Sequence, residues 1–207
     1  MPSLRVMTWN IENLFQAGDE SGPKTETEYQ EKLRNLSDAI LLLAPDVLAL
    51  QEIGSPAAFN DLADLLEGNY PHFQLSAHPD PRGIRVGFLS KFVIINMEDI
   101  TDFPQDGLSS VPGINSKGEP IDISSLGRGA LRIRVEPVQD FPVDLITTHL
   151  KSKLLSFPST SGGVRFNPKD ENERAKVAGF ALLKRTAEAT ALRVKANDLL
   201  VDNDSQA

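Results

Sequence analysis

The sequence predicts an α/β or α+β protein, with sheet packed on sheet and helices outside. Seven short β-rich runs are spread along the chain, most of them in its middle. Three helical stretches separate or follow them, the first two lying between the early strands. No internal repeat is present, and 207 residues suffice for one domain, 1–207, with a sizeable core.

The first strand is read at Val6 to Trp9 and runs into the polar groups Asn10, Glu12 and Asn13. A helix follows, with Tyr29, Leu33, Leu36, Ile40 and Leu43 spaced to form one apolar face. Thr25 with Glu28 three residues on is a capping-box pattern, and Pro45 marks the stop. Val47 to Leu50 is a short apolar strand ending at Gln51 and Glu52. In the next helix Ser55 suits the N-cap, Pro56 the first turn and Gly68 the C-terminal cap. The runs HFQLSAH, IRVGFLS and VIINMED suggest an antiparallel meander. Residues 102–129 and 151–170 read as long surface loops, rich in turn residues and without period. Between them lie the strands ALRIRVEPV and VDLITTHL. In the first, Leu131, Ile133 and Val135 alternate with Arg132 and Arg134, which read as a solvated face. From Glu171 a proline-free stretch keeps helical spacing through Phe180, Leu183, Ala187, Ala191 and Val194.

Composition excludes several classes. No run of about 18 apolar residues exists to span a membrane. No basic-then-apolar leader opens the chain, so a cytoplasmic location is the default expectation. Absence of cysteine removes disulfides and thiol catalysis. Net charge is −8, and residues 1–80 carry it, with 4 Lys/Arg against 13 Asp/Glu. Residues 81–207 hold 17 against 16. Such a balance argues against non-specific coating of nucleic acid, which draws on many phosphate contacts. A small anionic substrate held by a few local cations stays compatible, and the acidic N-terminal segment suits a cation site.

Asn10, Glu52 and His149 each follow an apolar strand, so side-by-side strands would bring them to one rim of a sheet. An amide oxygen and a carboxylate, with positions left for water and phosphate, is how proteins hold Mg²⁺. A nearby histidine can move a proton or stabilise developing charge, and an arginine such as Arg128 can grip a phosphate oxygen. Each residue also has a plain reading: a turn asparagine, a solvated glutamate, a satisfied histidine at a sheet edge.

Taken together, MTWNIENL, PDVLALQEI, GIRVGFLSK, SSLGRGALRI and THLKSK resemble, in order, five motifs of the endonuclease/exonuclease/phosphatase superfamily. Its members include pancreatic-type deoxyribonucleases, apurinic endonucleases, inositol phosphatases and sphingomyelinases. The resemblance implies a four-layer α/β/β/α sandwich with the site at one rim of two mixed sheets. It implies that Glu52 is the main metal ligand and Asn10 a metal-shell residue. It further implies that His149 and Arg128 act at the phosphate, with Lys151 a weaker phosphate contact. Mg²⁺ is the implied ion, with Mn²⁺ as a substitute. The implied reaction is hydrolysis of phosphate esters, of the phosphodiesterase or nuclease type.

The sequence departs from the pattern after His149. No Gly-Asp dipeptide and no further histidine follow it, so the family's Gly-Asp-x-Asn and Ser-Asp-His elements are not among these residues. Asp202 and Asp204, in VDNDSQA, read as a polar tail with no apolar strand to bring them to the rim. The expectation is a C-terminally incomplete domain, a truncated enzyme with little activity. The alternative is a shortened member that binds without catalysis, self-associating through an unpaired sheet edge. Low aromatic content, 6%, favours a short or single-stranded nucleic acid or a small phosphate ester over a long duplex.

Overall fold

A computed structural model describes residues 3–159 and 164–204, with side chains as far as residue 201. The elements are β1 (Val6–Leu14), α1 (Glu26–Leu43), β2 (Val47–Ile53), α2 (Pro56–Leu66), β3 (His72–Leu75), β4 (Arg85–Ser90) and β5 (Ile94–Asp102). Then follow β6 (Val111–Ile114), β7 (Pro120–Ile123), β8 (Ser125–Val138), β9 (Phe141–Thr148), β10 (Phe157–Pro158), β11 (Val164–Arg165) and α3 (Glu171–Asp204). They divide between two units. The first comprises Met1–Ile100 with Arg128–His149, the second Thr101–Gly127 with Leu150–Ala207.

Local chemistry accounts for both helices of the first unit. The Thr25 hydroxyl accepts the Glu28 N–H while the Glu28 carboxylate accepts the Thr25 N–H, completing the capping box. α1 ends at Ala44, left-handed at φ 45, just before Pro45. The Ser55 hydroxyl accepts the Ala58 N–H to start α2, with Pro56 in its first turn. Tyr29, Leu33 and Ile40 of α1 and Phe59, Leu62 and Leu66 of α2 are buried against one face of the first sheet. Each such side chain contributes about 1.5–3 kcal/mol on burial. Leu43, expected on that face, is half exposed at the end of α1.

That first sheet has the order β1-β2-β4-β3, with β1 and β2 parallel and the other pairs antiparallel. Alternation assigns its two faces. Leu48 and Leu50 join the core under the helices. Val47, Ala49, Val86 and Phe88 face the other way and pack against Leu131, Ile133 and Val135 of β8. β8 is the middle strand of the second sheet, β5-β8-β9. This unit is therefore helices, sheet and sheet, the mixed α/β class the sequence predicts.

Two expectations change. β3 and β4 form a hairpin, but β5 leaves it for the second sheet, because Phe92 and Ile94 pack into the inter-sheet core. Arg132 is buried rather than solvated, and Asp144 on β9 takes both Arg132 (2.5 Å) and Arg134 (2.6 Å). β8 is the middle strand, so Asn96 of β5 and Asp144 of β9 reach Arg132 from either side.

In the second unit α3 lies along β6. The expected loop 102–129 contains the β6–β7 hairpin and the start of β8. Within 151–170, β10 pairs antiparallel with β11, while residues 160–163 lie outside the described ones. Asp202 and Asp204 fall within the backbone of α3 rather than in a tail, and their side chains are outside the description.

Candidate active site

Two bulges on neighbouring strands build the site. Along β2, Gln51 pairs with Val86 and Ile53 with Arg85, so Glu52 is the extra residue. Its backbone is left-handed, at φ 64. Ile53 then takes the helix-side position that alternation would give residue 52, and Glu52 is freed from the ladder. On β1, Asn10 pairs with Gln51 and the next pairing is Leu14 with Ile53, leaving Ile11, Glu12 and Asn13 between. Glu12 and Asn13 are left-handed as well, at φ 51 and 54. Each left-handed residue costs roughly 1–2 kcal/mol, least for Asn. Both strands therefore run further than the sequence suggests, and the polar residues interrupt them instead of following them.

Specific contacts hold this backbone. The Asn13 N–H donates to Glu52 Oε2 at 3.2 Å, and the Glu12 N–H to Asn10 Oδ1 at 3.0 Å. Lys32, from α1, donates its ammonium to the carbonyls of Glu12 and Asn13. Burial lowers the Lys32 pKa, against the opposing pull of Glu12 and Glu52.

His149, just past β9, faces this bulge from the second sheet, its Nδ1 3.7 Å from Glu52 Oε1. Gln51 rivets the two sheets beside it, its amide donating to Thr8 Oγ1 at 3.0 Å and Thr147 Oγ1 at 2.9 Å. Burial and the Arg128 charge hold the His149 pKa below its usual value, outweighing Glu52 and Asp80. Arg128 donates through Nε to Asp80 Oδ2 at 3.0 Å. Burial alone would raise the Asp80 pKa, but Arg128 and the N–H groups of Ile84 and Arg82 bring it below the usual carboxylate range.

Of the residues singled out from sequence, Asn10, Glu52, Arg128 and His149 all belong to the first unit, and Glu52 and His149 lie 3.7 Å apart without a hydrogen bond between them. Lys151 belongs to the second unit, where its ammonium donates to the Leu154 carbonyl at 2.9 Å. Sequence reading missed Lys32, Asp80 and the Gln51–Thr147 rivet, whose partners lie 19 to 96 positions away. The paired Asp80 and Arg82 in the turn HPDPRG were the available signal.

Among the described residues no group of three His, Cys, Asp or Glu gathers as a metal cage. Besides the exposed Glu12, the bulges offer the Glu52 carboxylate, the Asn10 amide oxygen and Asn13 Oδ1, which is buried with no hydrogen-bond donor among the described residues. A buried acceptor without a donor is costly, and a hard cation would satisfy it. This sparse oxygen set fits Mg²⁺, which keeps most of its shell as water and substrate phosphate.

The model of the Endonuclease/Exonuclease/phosphatase family matches residues 7–179. The chain belongs to that family. No curated protein matches it in sequence. Among solved structures, sphingomyelinase C from Streptomyces griseocarneus is similar at TM-score 0.58 and 20% identity, over 98% of this chain and 60% of that one. ANGEL2, a 2′,3′-cyclic phosphatase, is similar at TM-score 0.50 and 16% identity, over 73% of this chain and 42% of that one. These likenesses are of fold. The chain spans 60% or less of the length of both.

Proposed function

We propose that this protein is a Mg²⁺-dependent phosphoester hydrolase, of the phosphodiesterase or nuclease type, working at the β1–β2 bulges. The observation that carries the reading is the Glu52 carboxylate turned out of its strand to meet His149 at 3.7 Å. A strained backbone at a polar convergence is characteristic of functional sites. Glu52 holds the ion, with Asn10 and Asn13 contributing amide oxygens. When bound, Mg²⁺ or Mn²⁺ supplies Lewis-acid polarisation of the phosphoryl oxygen. Arg128, oriented by Asp80, neutralises charge that develops on the phosphate. His149 hydrogen-bonds the reacting phosphate and can accept or return a proton there. The substrate is a phosphate ester, a short nucleic acid among the candidates.

Calorimetric titration with Mg²⁺ or Mn²⁺ tests this reading, run on the protein and on Glu52→Ala alongside hydrolysis of bis(p-nitrophenyl) phosphate. Binding that disappears in Glu52→Ala is the expected result. Equal binding in both would remove Glu52 from the metal role and the reading with it.

A further inference from the structure

We infer that Lys32 is a positioning residue for the metal site, its ammonium fixing the β1 bulge that carries Asn13 and braces Glu52. The inference rests on the function proposed above. Ile11, Glu12 and Asn13 lie in the gap of the β1–β2 ladder, so the polar backbone groups there need other partners. Two N–H groups turn to side chains of the site: Glu12 donates to Asn10 Oδ1 at 3.0 Å, and Asn13 to Glu52 Oε2 at 3.2 Å. The carbonyls of the same two residues turn to Lys32, whose Nζ donates to both and lies 3.2 Å from the Asn13 oxygen.

Two consecutive left-handed residues, Glu12 at φ 51 and Asn13 at φ 54, are thus held through both their N–H and their C=O groups. A chain relaxes from such a conformation unless its surroundings over-determine it. On the N–H side the grip comes from Asn10 and Glu52, which the proposed function commits to the ion. On the carbonyl side the Phe15 N–H reaches the Asn13 oxygen at 3.0 Å. Among the described residues, only the Lys32 ammonium bridges both carbonyls.

Placement and residue type both suit this role. Lys32 stands on α1 one turn from Tyr29 and Leu36, which are buried with Leu33 and Ile40, so the helix beneath it is anchored. A lysine at the border of an apolar face can lay its stem on that face and bring its charge to a polar group beyond. An ammonium has three donors and no acceptor, so one side chain serves two carbonyls. Glu12 and Glu52 both act on the ammonium by charge, so it lies within electrostatic reach of the site. Repulsion and positioning therefore predict opposite signs when Lys32 is removed: tighter Mg²⁺ binding from the first, weaker from the second. The direct grip on the bulge makes positioning the larger effect, since outer partners of metal ligands commonly govern affinity.

The test is calorimetric Mg²⁺ titration of wild type, Glu52→Ala and Lys32→Met, with urea unfolding of each in the absence of metal. Methionine keeps most of the stem and removes the ammonium. The expected result is a Lys32→Met protein that still unfolds cooperatively but binds Mg²⁺ ~10-fold more weakly, the size typical for loss of an outer partner of a metal ligand. Unchanged affinity would make Lys32 a staple between helix and strand with no part in the site, and overturns the inference. Tighter binding would make its charge the dominant effect, and overturns it too. If Lys32→Met does not fold, Lys32→Gln decides: weaker Mg²⁺ binding supports the inference, and equal or tighter binding overturns it. A wild type that binds no Mg²⁺, or binding that survives in Glu52→Ala, would instead overturn the proposed function, and the inference would fall with it.

Discussion

Glu52 occupies a position where strand alternation would send a carboxylate into the core that Leu48 and Leu50 enter. Burying an unpaired charge there would cost several kcal/mol, against about 1–2 for one left-handed residue. The bulge is the cheaper outcome, and it also gives Ile53 the core position. Asn13 has a different balance. Asparagine tolerates φ 54 well, so conformation alone could explain it, yet its side-chain oxygen is buried without a donor. Asn13→Gly separates the two explanations, because glycine accepts that φ without strain. Stability should stay within about 1 kcal/mol of wild type in urea unfolding. Mg²⁺ affinity should fall several-fold if the amide oxygen reaches the ion, and unchanged affinity would assign Asn13 to backbone conformation alone.

At the level of elements, β8 and β9 are bound by an ion-paired triad as well as by their ladder. Burial pushes the Asp144 pKa up, but hydrogen bonds and charge from Arg134 and Arg132 bring it below the usual carboxylate value. A native pKa below the unfolded one means the unfolded state binds more protons between the two. The triad's stabilisation is therefore present above about pH 4 and is lost as pH falls through the native value. Asp144→Asn leaves two part-buried guanidinium groups without their carboxylate and should cost about 3 kcal/mol at pH 7. Urea unfolding at pH 7, 5 and 3.5 should show the gap between wild type and variant holding from pH 7 to 5 and beginning to narrow at the lowest pH. Parallel curves would exclude Asp144 as the source. The elements themselves were largely legible in sequence, because caps and apolar spacing are local signals: Thr25 with Glu28, Ser55 with Pro56, and the face from Tyr29 to Ile40 all form as read. Strand ends were not legible at Asn10 and Gln51, where bulges break the period-two pattern that defines a strand. Buried Arg132 was missed for a related reason, since alternation tells which face a residue is on but not whether that face is covered. Asp80 was missed because its partner Arg128 lies 48 residues away.

Across the whole molecule, the proposed site gathers positions 10, 52, 128 and 149 into one unit. These residues cover metal binding, charge neutralisation and a proton-handling imidazole. Glu52 is the one carboxylate among these four, so once it holds the ion none of them is left to act as a carboxylate base toward water. Groups that act together in catalysis are strongly non-additive, so these four alone would bind while supplying little of the rate. A polypeptide of these 207 residues should therefore bind Mg²⁺ through Glu52 yet hydrolyse bis(p-nitrophenyl) phosphate slowly. Its kcat should lie on the order of 10³-fold or more below that of a family enzyme carrying the Gly-Asp-x-Asn and Ser-Asp-His elements. Steady-state kinetics with matched Mg²⁺ decides the point. A low kcat that falls further in His149→Ala shows that the partial site still performs chemistry. A kcat equal to that of the family enzyme used for comparison would mean that water is oriented from within residues 1–207, with His149 the first residue to substitute in search of the base.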